Sequence, residues 1–257
     1  MTFPDIRNDR RFKDKLTTNQ LTRGTFIQVG GPEMVEICGA VELDFVILDT
    51  EHTPVGWERL SAMCLAALYS GTFPLIRVGT IQQALVTRAL DAGARGVVFP
   101  QVQSAGEATV AARACRYPPD GTRGAAGSRN MGWGITMTLA DYIPEANRGV
   151  VCVIQIESQE GVDAVDSIAS VPGVDCLFVG LSDLSVDLGC PAEYAHPELE
   201  AALDRVLAAG RTHGVSVGMP IADLRRAPDY RRRGVSFFTT SDRMMVANAM
   251  ASFRASF

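Results

Sequence analysis

The chain has 257 residues, of which 47% are hydrophobic and 21% are charged, a globular balance that excludes disordered and fibrous classes. Its formal net charge of -5 argues against a nucleic-acid partner, because phosphate binding needs a basic surface. No apolar run approaches the roughly 18 residues that a membrane-spanning helix needs, so we expect no membrane partner.

The N-terminal segment carries charges where a secretory signal would have its apolar core, so the sequence predicts no export signal. The six cysteines form no CxxC pair, and most lie within apolar or helical patterns. Reduced cysteines are typically found there, as small residues of a hydrophobic core. We therefore expect a cytoplasmic enzyme or binding protein.

Eight short apolar runs alternate with longer amphipathic patterns along the chain. The runs are candidate strands at residues 25–30, 44–50, 74–79, 96–102, 150–157, 175–180, 215–220 and 235–240. Their near-continuous apolar character is typical of parallel strands buried on both faces. The amphipathic patterns predict helices at residues 57–70, 82–94, 105–116, 159–171 and 196–214.

Eight strands separated by helices in a chain of this length predict an α/β fold, the (β/α)8 TIM barrel. We expect one such domain over residues 1–257. A doubly wound open sheet is the alternative, but no GxGxxG motif follows the first strand.

A long connection at residues 117–148 precedes the fifth strand and is rich in glycine and proline. Connections of this length in compact domains are usually functional or disordered. Arg129 and Trp133 would be poor choices for a free linker. We therefore predict a lid or a subunit-contact segment here.

Polar residues mark the predicted C-terminal ends of six consecutive strands, where TIM barrels place their active sites. They are Gln28 on the first strand, Asp49, Glu51 and His52 on the second, Arg77 on the third, Gln101 and Gln103 on the fourth, Gln155 and Glu157 on the fifth, and Ser182 and Asp183 on the sixth. The last two strands give weaker signals, Met219 and Thr239.

Glu157 and Asp183 follow neighbouring strands at the same depth, so their carboxylates are expected close together. Two buried like charges repel unless something neutralises them. A divalent cation would do so, and oxygen-only ligands favour Mg²⁺ or Mn²⁺ over Co²⁺ or Zn²⁺. Alternatively, both carboxylates are helix N-caps, since each precedes a helical pattern.

Arg77 lies within the apolar run PLIRVG, where an unpaired guanidinium would be costly to bury. It could pair with Asp49 or Glu51, or it could face a substrate oxygen and stabilise developing negative charge. His52 follows Asp49 by three positions, so the carboxylate could orient the imidazole for proton transfer. A structural histidine is the alternative. Glu51 could support Arg77 or the metal's waters, and we leave it outside the catalytic set.

Six motifs, in this order, resemble the HpcH/HpaI aldolase family, metal-dependent class II pyruvate aldolases of the phosphoenolpyruvate/pyruvate barrel superfamily. The motifs are DTEHTP, PLIRV, ALDAGARGVVFPQVQSAGEA, YPPDGTRG, VIQIESQEGV and VDCLFVGLSDLS. The resemblance covers nearly the whole chain. One departure is Leu181 in GLSDLS, which replaces a commonly seen proline and leaves the predicted ligand Asp183 in place.

The resemblance implies specific roles for the residues that match the family's motifs. Glu157 and Asp183 would be the metal ligands, and His52 with Asp49 the proton-transfer dyad. Arg77 would face the keto or enolate oxygen.

The same resemblance assigns the remaining predicted site residues. Gln155 would lie beside a chelated pyruvate, and the backbone around Gly180 and Ser182 would hold the substrate carboxylate. Asp91 would reach a neighbouring subunit's site, so a homo-oligomer, trimer or hexamer, would be required for activity.

The implied reaction is reversible aldol cleavage of a 4-hydroxy-2-oxoacid to pyruvate, or a pyruvate analogue, and an aldehyde. Independently, the only lysines are Lys13 and Lys15, and neither lies at a strand end to form a Schiff base. Two alternatives stay open. One is a citrate-lyase-like or malyl-CoA-type lyase acting on a CoA thioester, and the other is a non-catalytic ligand-binding barrel.

Overall fold

The computed structural model describes residues 10–257, so residues 1–9 of the predicted domain and N-terminal segment lie outside the described residues. Eight parallel strands pair in chain order, and the last pairs with the first to close a barrel. They are β1 (Thr22–Ile27), β2 (Phe45–Asp49), β3 (Phe73–Arg77), β4 (Gly96–Phe99), β5 (Val151–Ile156), β6 (Cys176–Val179), β7 (Ser216–Pro220) and β8 (Phe237–Ser241). The predicted TIM barrel is confirmed.

Helices alternate with the strands and cover the outside of the barrel. They are α1 (Arg11–Thr17), α2 (Pro32–Ala40), α3 (Trp57–Ser70), α4 (Gln83–Ala92), α5 (Ala105–Ala114), α6 (Leu139–Gly149), α7 (Gln159–Asp163), α8 (Val165–Ala169), α9 (Leu181–Asp187), α10 (Pro197–His213), α11 (Ala227–Arg233) and α12 (Asp242–Ala255). Within residues 10–257, none of them is long and apolar enough to cross a membrane.

Three predicted elements differ clearly from the observed ones, and one of them is the fourth strand, which was expected at residues 96–102 and ends at Phe99. The first strand, expected at residues 25–30, runs from Thr22 to Ile27, because the apolar run TFIQVG extends past the strand's end into the following turn. The helix expected at residues 159–171 is two short helices, α7 and α8, which meet at Ala164.

Aromatic side chains fill the interior of the barrel. The rings of Phe45 and Phe237 stack with centroids 4.0 Å apart, and Phe178 contacts Phe237 edge to face. At the opposite end from the strand C-termini, α1 inserts Phe12, whose ring stacks on Phe73 at 4.4 Å. Because the interior is a packed core, a ligand can enter only at the rim.

The long connection at residues 117–148 carries secondary structure of its own. A 3-10 helix spans Arg129–Gly134, and α6 begins at Leu139. Tyr117, Met131 and Tyr142 pack together as a small separate core, while Trp133 is exposed. The predicted role as a lid or subunit contact stays a prediction.

All six cysteines are buried with free thiols. Burial of Cys64 and Cys176 raises the pKa of both thiols well above the ordinary value. A buried thiol that resists ionisation is a poor nucleophile, so these cysteines serve as core residues, as the sequence predicts.

Candidate active site

A cavity of about 500 Å³ opens at the C-terminal ends of the strands. Seven of the nine predicted site residues line it: His52, Arg77, Gln155, Glu157, Gly180, Ser182 and Asp183. The other two, Asp49 and Asp91, lie outside its lining. The barrel therefore brings together residues that are more than a hundred positions apart in the sequence.

Glu157 directly follows β5 and is buried at the base of the cavity. Its Oε1 accepts a hydrogen bond from the backbone N–H of Gln101 at 2.7 Å, and its Oε2 accepts one from Nε2 of Gln155 at 2.9 Å. The N-cap of α7 is instead Ser158, whose side chain accepts from the N–H of Gly161. The helix-cap alternative for Glu157 is therefore wrong.

Gly180 leaves the space that the Glu157 carboxylate occupies. A Cβ atom at position 180 would lie 2.3 Å from Oε2 of Glu157 and 2.8 Å from its Cβ. Real Cβ atoms do not approach other atoms so closely, so any side chain here would displace the carboxylate.

Asp183 lies in the first turn of α9, whose N-cap is Gly180. The N-cap alternative for Asp183 is therefore also wrong. The pKa of Glu157 is raised to about 7, mainly by burial and also by the negative charges of Asp183 and Glu51, against the hydrogen bond from Gln101. These carboxylates form an acidic end of the cavity that a cation would stabilise.

Gln155 lies beside these carboxylates at the same end of the cavity. Its side chain is buried, its Nε2 is used by Glu157, and its Oε1 has no hydrogen-bond partner in the part of the chain that the structure describes. A buried acceptor without a partner is costly, so it marks a place where a ligand atom belongs.

This oxygen donor set fits a hard divalent cation that keeps positions open for water or substrate. Two carboxylates, of Glu157 and Asp183, face the cavity beside the unpartnered amide oxygen of Gln155. Within residues 10–257, no three His, Cys, Asp or Glu side chains group as a complete metal-binding cluster.

Arg77 ends β3 and is held by two carboxylates. Its Nε and Nη2 donate to the two oxygens of Asp49 at 2.9 Å and 2.7 Å, and its Nη1 lies 3.2 Å from Oε2 of Glu51. The guanidinium also lies over the ring of Phe26 at 4.8 Å. The structural pairing left open by the sequence is observed, and Arg77 lines the cavity as well.

Asp49 is buried between Arg77 and Gln28, whose Nε2 donates to it at 3.1 Å. Burial disfavours its ionised form, but the hydrogen bond and charge of Arg77 outweigh this and hold the pKa of Asp49 below its ordinary value. The carboxylate also accepts the backbone N–H of Glu51 at 3.1 Å and of His52 at 3.4 Å. Asp49 thus fixes the loop after β2.

The sequence predicts that the carboxylate of Asp49 orients the imidazole of His52, and the structure shows a different contact. Asp49 contacts the backbone of His52, whereas the His52 ring lies 3.8 Å from Oε2 of Glu51. The side chain of His52 is 58% exposed at the cavity rim. Both oxygens of Asp49 already bind Arg77, which explains why the ring turns to the neighbouring carboxylate.

Asp91 lies near the end of α4, just before β4 begins, and therefore at the opposite end of the barrel from the cavity. Its Oδ1 accepts a hydrogen bond from Nη2 of Arg123 at 2.8 Å. This protomer does not bring Asp91 to its own cavity, so its predicted role in a neighbouring subunit stays a prediction.

Two structural features were missed from the sequence. Gln101 has a φ of 53°, a strained value for a residue with a side chain, and its N–H donates to Glu157. Asp242, fully buried after β8, accepts backbone N–H bonds from Gln28, Val29 and Gly30. The carboxylate directly after the run FFTTS was the available sequence signal for Asp242.

Comparisons of the sequence with a family model and with known proteins point to the same family. The family model of HpcH/HpaI aldolase/citrate lyase matches residues 23–249. A 5-keto-4-deoxy-D-glucarate aldolase from Salmonella paratyphi C (strain RKS4594) is 34% identical over 249 residues, which cover 96% of this chain and 93% of the relative.

Solved structures show the same relationship. The crystal structure of a HpcH/HpaI aldolase/citrate lyase family protein from Burkholderia cenocepacia J2315 superposes with a TM-score of 0.90 at 35% identity, covering 96% of this chain and 99% of that one. The structure of the citrate synthase SbnG has a TM-score of 0.86 at 27% identity, over 95% and 96% of the two chains. The chain therefore belongs to the HpcH/HpaI aldolase/citrate lyase family and is a carbon–carbon lyase.

Proposed function

We propose that this lyase is a metal-dependent aldolase that reversibly cleaves a 4-hydroxy-2-oxoacid into pyruvate, or a pyruvate analogue, and an aldehyde. The observation that carries the proposal is the unpartnered Oε1 of buried Gln155, which lies in the same cavity as Glu157 and Asp183. Membership of a lyase family sets aside the non-catalytic barrel.

Glu157 and Asp183 are the proposed metal ligands. When bound, a divalent cation, preferably Mg²⁺ or Mn²⁺, would supply Lewis acidity to the 2-keto group and the adjacent carboxylate of the substrate. The hydrogen bond from Gln101 fixes one oxygen of Glu157, and Gly180 leaves room for the other. The backbone near Gly180 and Ser182 is the proposed holder of the substrate carboxylate.

Arg77 is proposed to stabilise negative charge that develops on the 2-keto oxygen during cleavage. Asp49 and Glu51 hold its guanidinium, and the Phe26 ring lies beneath it. A cation that is already fixed needs no reorganisation when charge develops in the transition state, so its effect falls on the rate.

His52 is the proposed proton carrier. In cleavage, it would take the proton of the 4-hydroxyl group while the bond between the third and fourth carbons breaks, and it would return that proton in synthesis. The bonding electron pair passes to the pyruvate half as an enolate, whose third carbon then takes a proton from solvent to give pyruvate, and the 4-hydroxyl oxygen becomes the aldehyde oxygen. Asp49 positions the His52 backbone, and Glu51 lies beside the ring.

We also propose that the enzyme is a cytoplasmic trimer or hexamer and that Asp91 acts in a neighbouring subunit's site. Six buried free thiols are typical of a protein from a reducing compartment. Light scattering gives the assembly size. An active monomer would contradict the proposal for Asp91.

The direct test measures pyruvate release from 4-hydroxy-2-oxoacids, coupled to lactate dehydrogenase and NADH. We expect activity to disappear after EDTA treatment and desalting and to return with Mn²⁺ or Mg²⁺. Full activity in chelator would contradict the metal assignment. Turnover of CoA thioesters alone, together with CoA binding in calorimetry, would favour the alternative CoA-type lyase.

A further inference from the structure

Asp242 is the first residue of α12 and the one residue of that helix that is buried. Its carboxylate is fully enclosed, whereas the residues of α12 that follow it are exposed or half-buried. A buried carboxylate is costly unless hydrogen-bond donors replace the water that it has lost. The donors to Asp242 therefore show how the start of α12 is attached to the barrel.

Four backbone N–H groups donate to the two oxygens of Asp242. Oδ1 accepts those of Gln28 at 2.9 Å and Arg243 at 2.7 Å. Oδ2 accepts those of Val29 at 3.1 Å and Gly30 at 2.8 Å. Three of these donors belong to the turn after β1, more than 200 positions away in the sequence. Because hydrogen bonds to a charged acceptor are the stronger class, the carboxylate holds this turn against the start of α12.

The turn approaches the carboxylate closely at Gly30. A Cβ atom at this position would lie 3.1 Å from Oδ2 of Asp242 and 2.4 Å from Cβ of Met34 in α2. Such a close approach of the backbone to two neighbours requires a residue without a side chain. The turn, α2 and the Asp242 carboxylate are therefore packed with little room for rearrangement.

Gln28 connects this turn to the active site. Asp242 binds its backbone, while its side chain lines the cavity and donates from Nε2 to Oδ2 of Asp49 at 3.1 Å. The same oxygen of Asp49 accepts Nη2 of Arg77 at 2.7 Å, and Oδ1 accepts Nε of Arg77 at 2.9 Å. A continuous series of hydrogen bonds thus runs from the start of α12 to the guanidinium that lines the cavity.

We infer that Asp242 is a positioning residue for Arg77. It fixes the backbone of Gln28, whose side chain supports Asp49, and Asp49 holds the guanidinium. Asp242 itself does not line the cavity. This inference rests on the proposed aldolase function, in which Arg77 stabilises charge on the 2-keto oxygen. Because a preorganised charge acts on the transition state, loss of this support should lower kcat and leave Mn²⁺ affinity unchanged.

The kinetic experiment compares Asp242→Asn, Gln28→Met and the double variant. The asparagine keeps the shape of Asp242 but turns a donor group toward backbone N–H groups, and the methionine keeps the length of Gln28 but cannot donate to Asp49. Each single substitution should lower kcat for pyruvate release about tenfold, as for a lost hydrogen bond to a charged group. Because both act on the same series of contacts, the double variant should be little slower than either one. Calorimetry should give wild-type Mn²⁺ affinity for all three.

Asp44→Asn is the matched control. The side chain of Asp44 is 8% exposed, and it likewise accepts a backbone N–H, that of Arg23 at 2.8 Å, in addition to its ion pair with Lys15. Asp44 lies just before β2, at the end of the barrel opposite the cavity. This variant is therefore expected to lose stability and to keep wild-type kcat.

Hydrogen exchange tests the same contacts without catalysis. The backbone N–H groups of Glu51 and His52 donate to Oδ1 of Asp49 at 3.1 Å and 3.4 Å, so their exchange reports how firmly Asp49 is held. In Asp242→Asn we expect faster exchange than in wild type in peptides that cover residues 28–30 and in peptides that cover residues 50–53. In Gln28→Met we expect it only in the second set.

The inference is overturned if either single variant keeps wild-type kcat, if the two losses multiply in the double variant, or if faster exchange in Asp242→Asn is confined to residues 28–30. Should Asp242→Asn fail to fold, Gln28→Met decides through its kcat and its exchange at residues 50–53. If wild type releases no pyruvate in the presence of metal, the proposed function fails, and hydrogen exchange still shows whether Asp242 supports Asp49.

Discussion

Asp49 accepts two hydrogen bonds from Arg77, at 2.9 Å from Nε and 2.7 Å from Nη2, and the two residues are directly paired across β2 and β3. The carboxylate of Asp49 therefore pairs with the buried guanidinium of Arg77, and it contacts His52 only through the His52 backbone N–H. This relationship separates two roles that the sequence combines, the support of Arg77 and the orientation of His52.

The first prediction concerns folding stability. Asp49→Ala leaves Arg77 buried beside a lost partner, so we expect the free energy of unfolding to fall by about 3–5 kcal/mol. His52→Ala removes a largely exposed side chain and should change it by about 0.5 kcal/mol or less. Urea unfolding measures both. Equal losses in the two variants would contradict the assignment of Asp49 to Arg77.

The same pair predicts an acid limit. Because the pKa of Asp49 is lowered on folding, its ionised form contributes stability above the unfolded-state pKa, and this contribution is lost as pH falls through the folded-state value. Unfolding measured at falling pH should therefore show a steeper acid loss in wild type than in Asp49→Asn. If the stability of wild type and of Asp49→Asn fell equally with pH, Asp49 would not be the source of the acid loss.

The second prediction concerns turnover. If His52 carries the proton, His52→Ala should lower kcat by about 10²–10⁴-fold with little change in thermal stability. His213→Ala is the matched control, since His213 lies at the end of α10 and contacts Asp166. Steady-state kinetics of pyruvate release gives the comparison. Wild-type kcat in His52→Ala would remove His52 from the mechanism.

The third prediction uses the contact between Gly180 and Glu157. Gly180→Ala places a methyl group where the Glu157 carboxylate lies, so Mn²⁺ affinity should fall by about 10–100-fold, as for other changes that disturb ligand position. Gly79→Ala is the control, because a Cβ atom there meets nothing within 4 Å. Calorimetric titration distinguishes them. Unchanged affinity in Gly180→Ala would exclude Glu157 as a ligand.

The fourth prediction follows from the pKa of Glu157, which burial raises from 4.5 to about 7 in the metal-free protein. In that interval the folded state binds a proton that the unfolded state has released, so stability falls as pH rises from about 4.5 to about 7, by at most about 3 kcal/mol. Deprotonation also favours metal binding, so Mn²⁺ affinity should rise over the same interval.

Glu157→Gln isolates this effect. The substitution removes the titrating group and keeps an oxygen for the Gln101 N–H. We therefore expect the stability of EDTA-treated wild type, relative to Glu157→Gln, to decrease with rising pH. A constant difference between the two proteins from about pH 4.5 to about pH 7 would show that Glu157 ionises normally.

The barrel was predictable because its signal is local. Each strand is a short apolar run, and each long helix shows its own periodicity, as with α3 over Trp57–Ser70. Burial of both strand faces follows from such runs without knowledge of the pairing. The end of β1 was misplaced because Val29 continues the apolar pattern beyond Ile27.

The contacts within the site depend on information that no local pattern contains. Asp49 had two side chains within reach, His52 in sequence and Arg77 across the sheet, and only the β2–β3 register decides between them. The hydrogen bond from the N–H of Gln101 to Glu157 likewise joins the ends of β4 and β5, which are neighbours only in the folded barrel. The types of residue at the rim were predictable, and the pairing of Arg77 with Asp49 or Glu51 was one of the alternatives, but the choice between alternatives was not predictable.

The proposed aldol cleavage depends on a metal held by Glu157 and Asp183. The most direct measurement titrates the metal-stripped enzyme with Mn²⁺ and records Mn²⁺ binding and pyruvate release together, for wild type, Glu157→Gln and Asp183→Asn. We predict that activity rises with bound metal in wild type and that both variants lose metal affinity and activity together. Full pyruvate release by metal-stripped wild type, or wild-type Mn²⁺ affinity in both variants, would contradict the account.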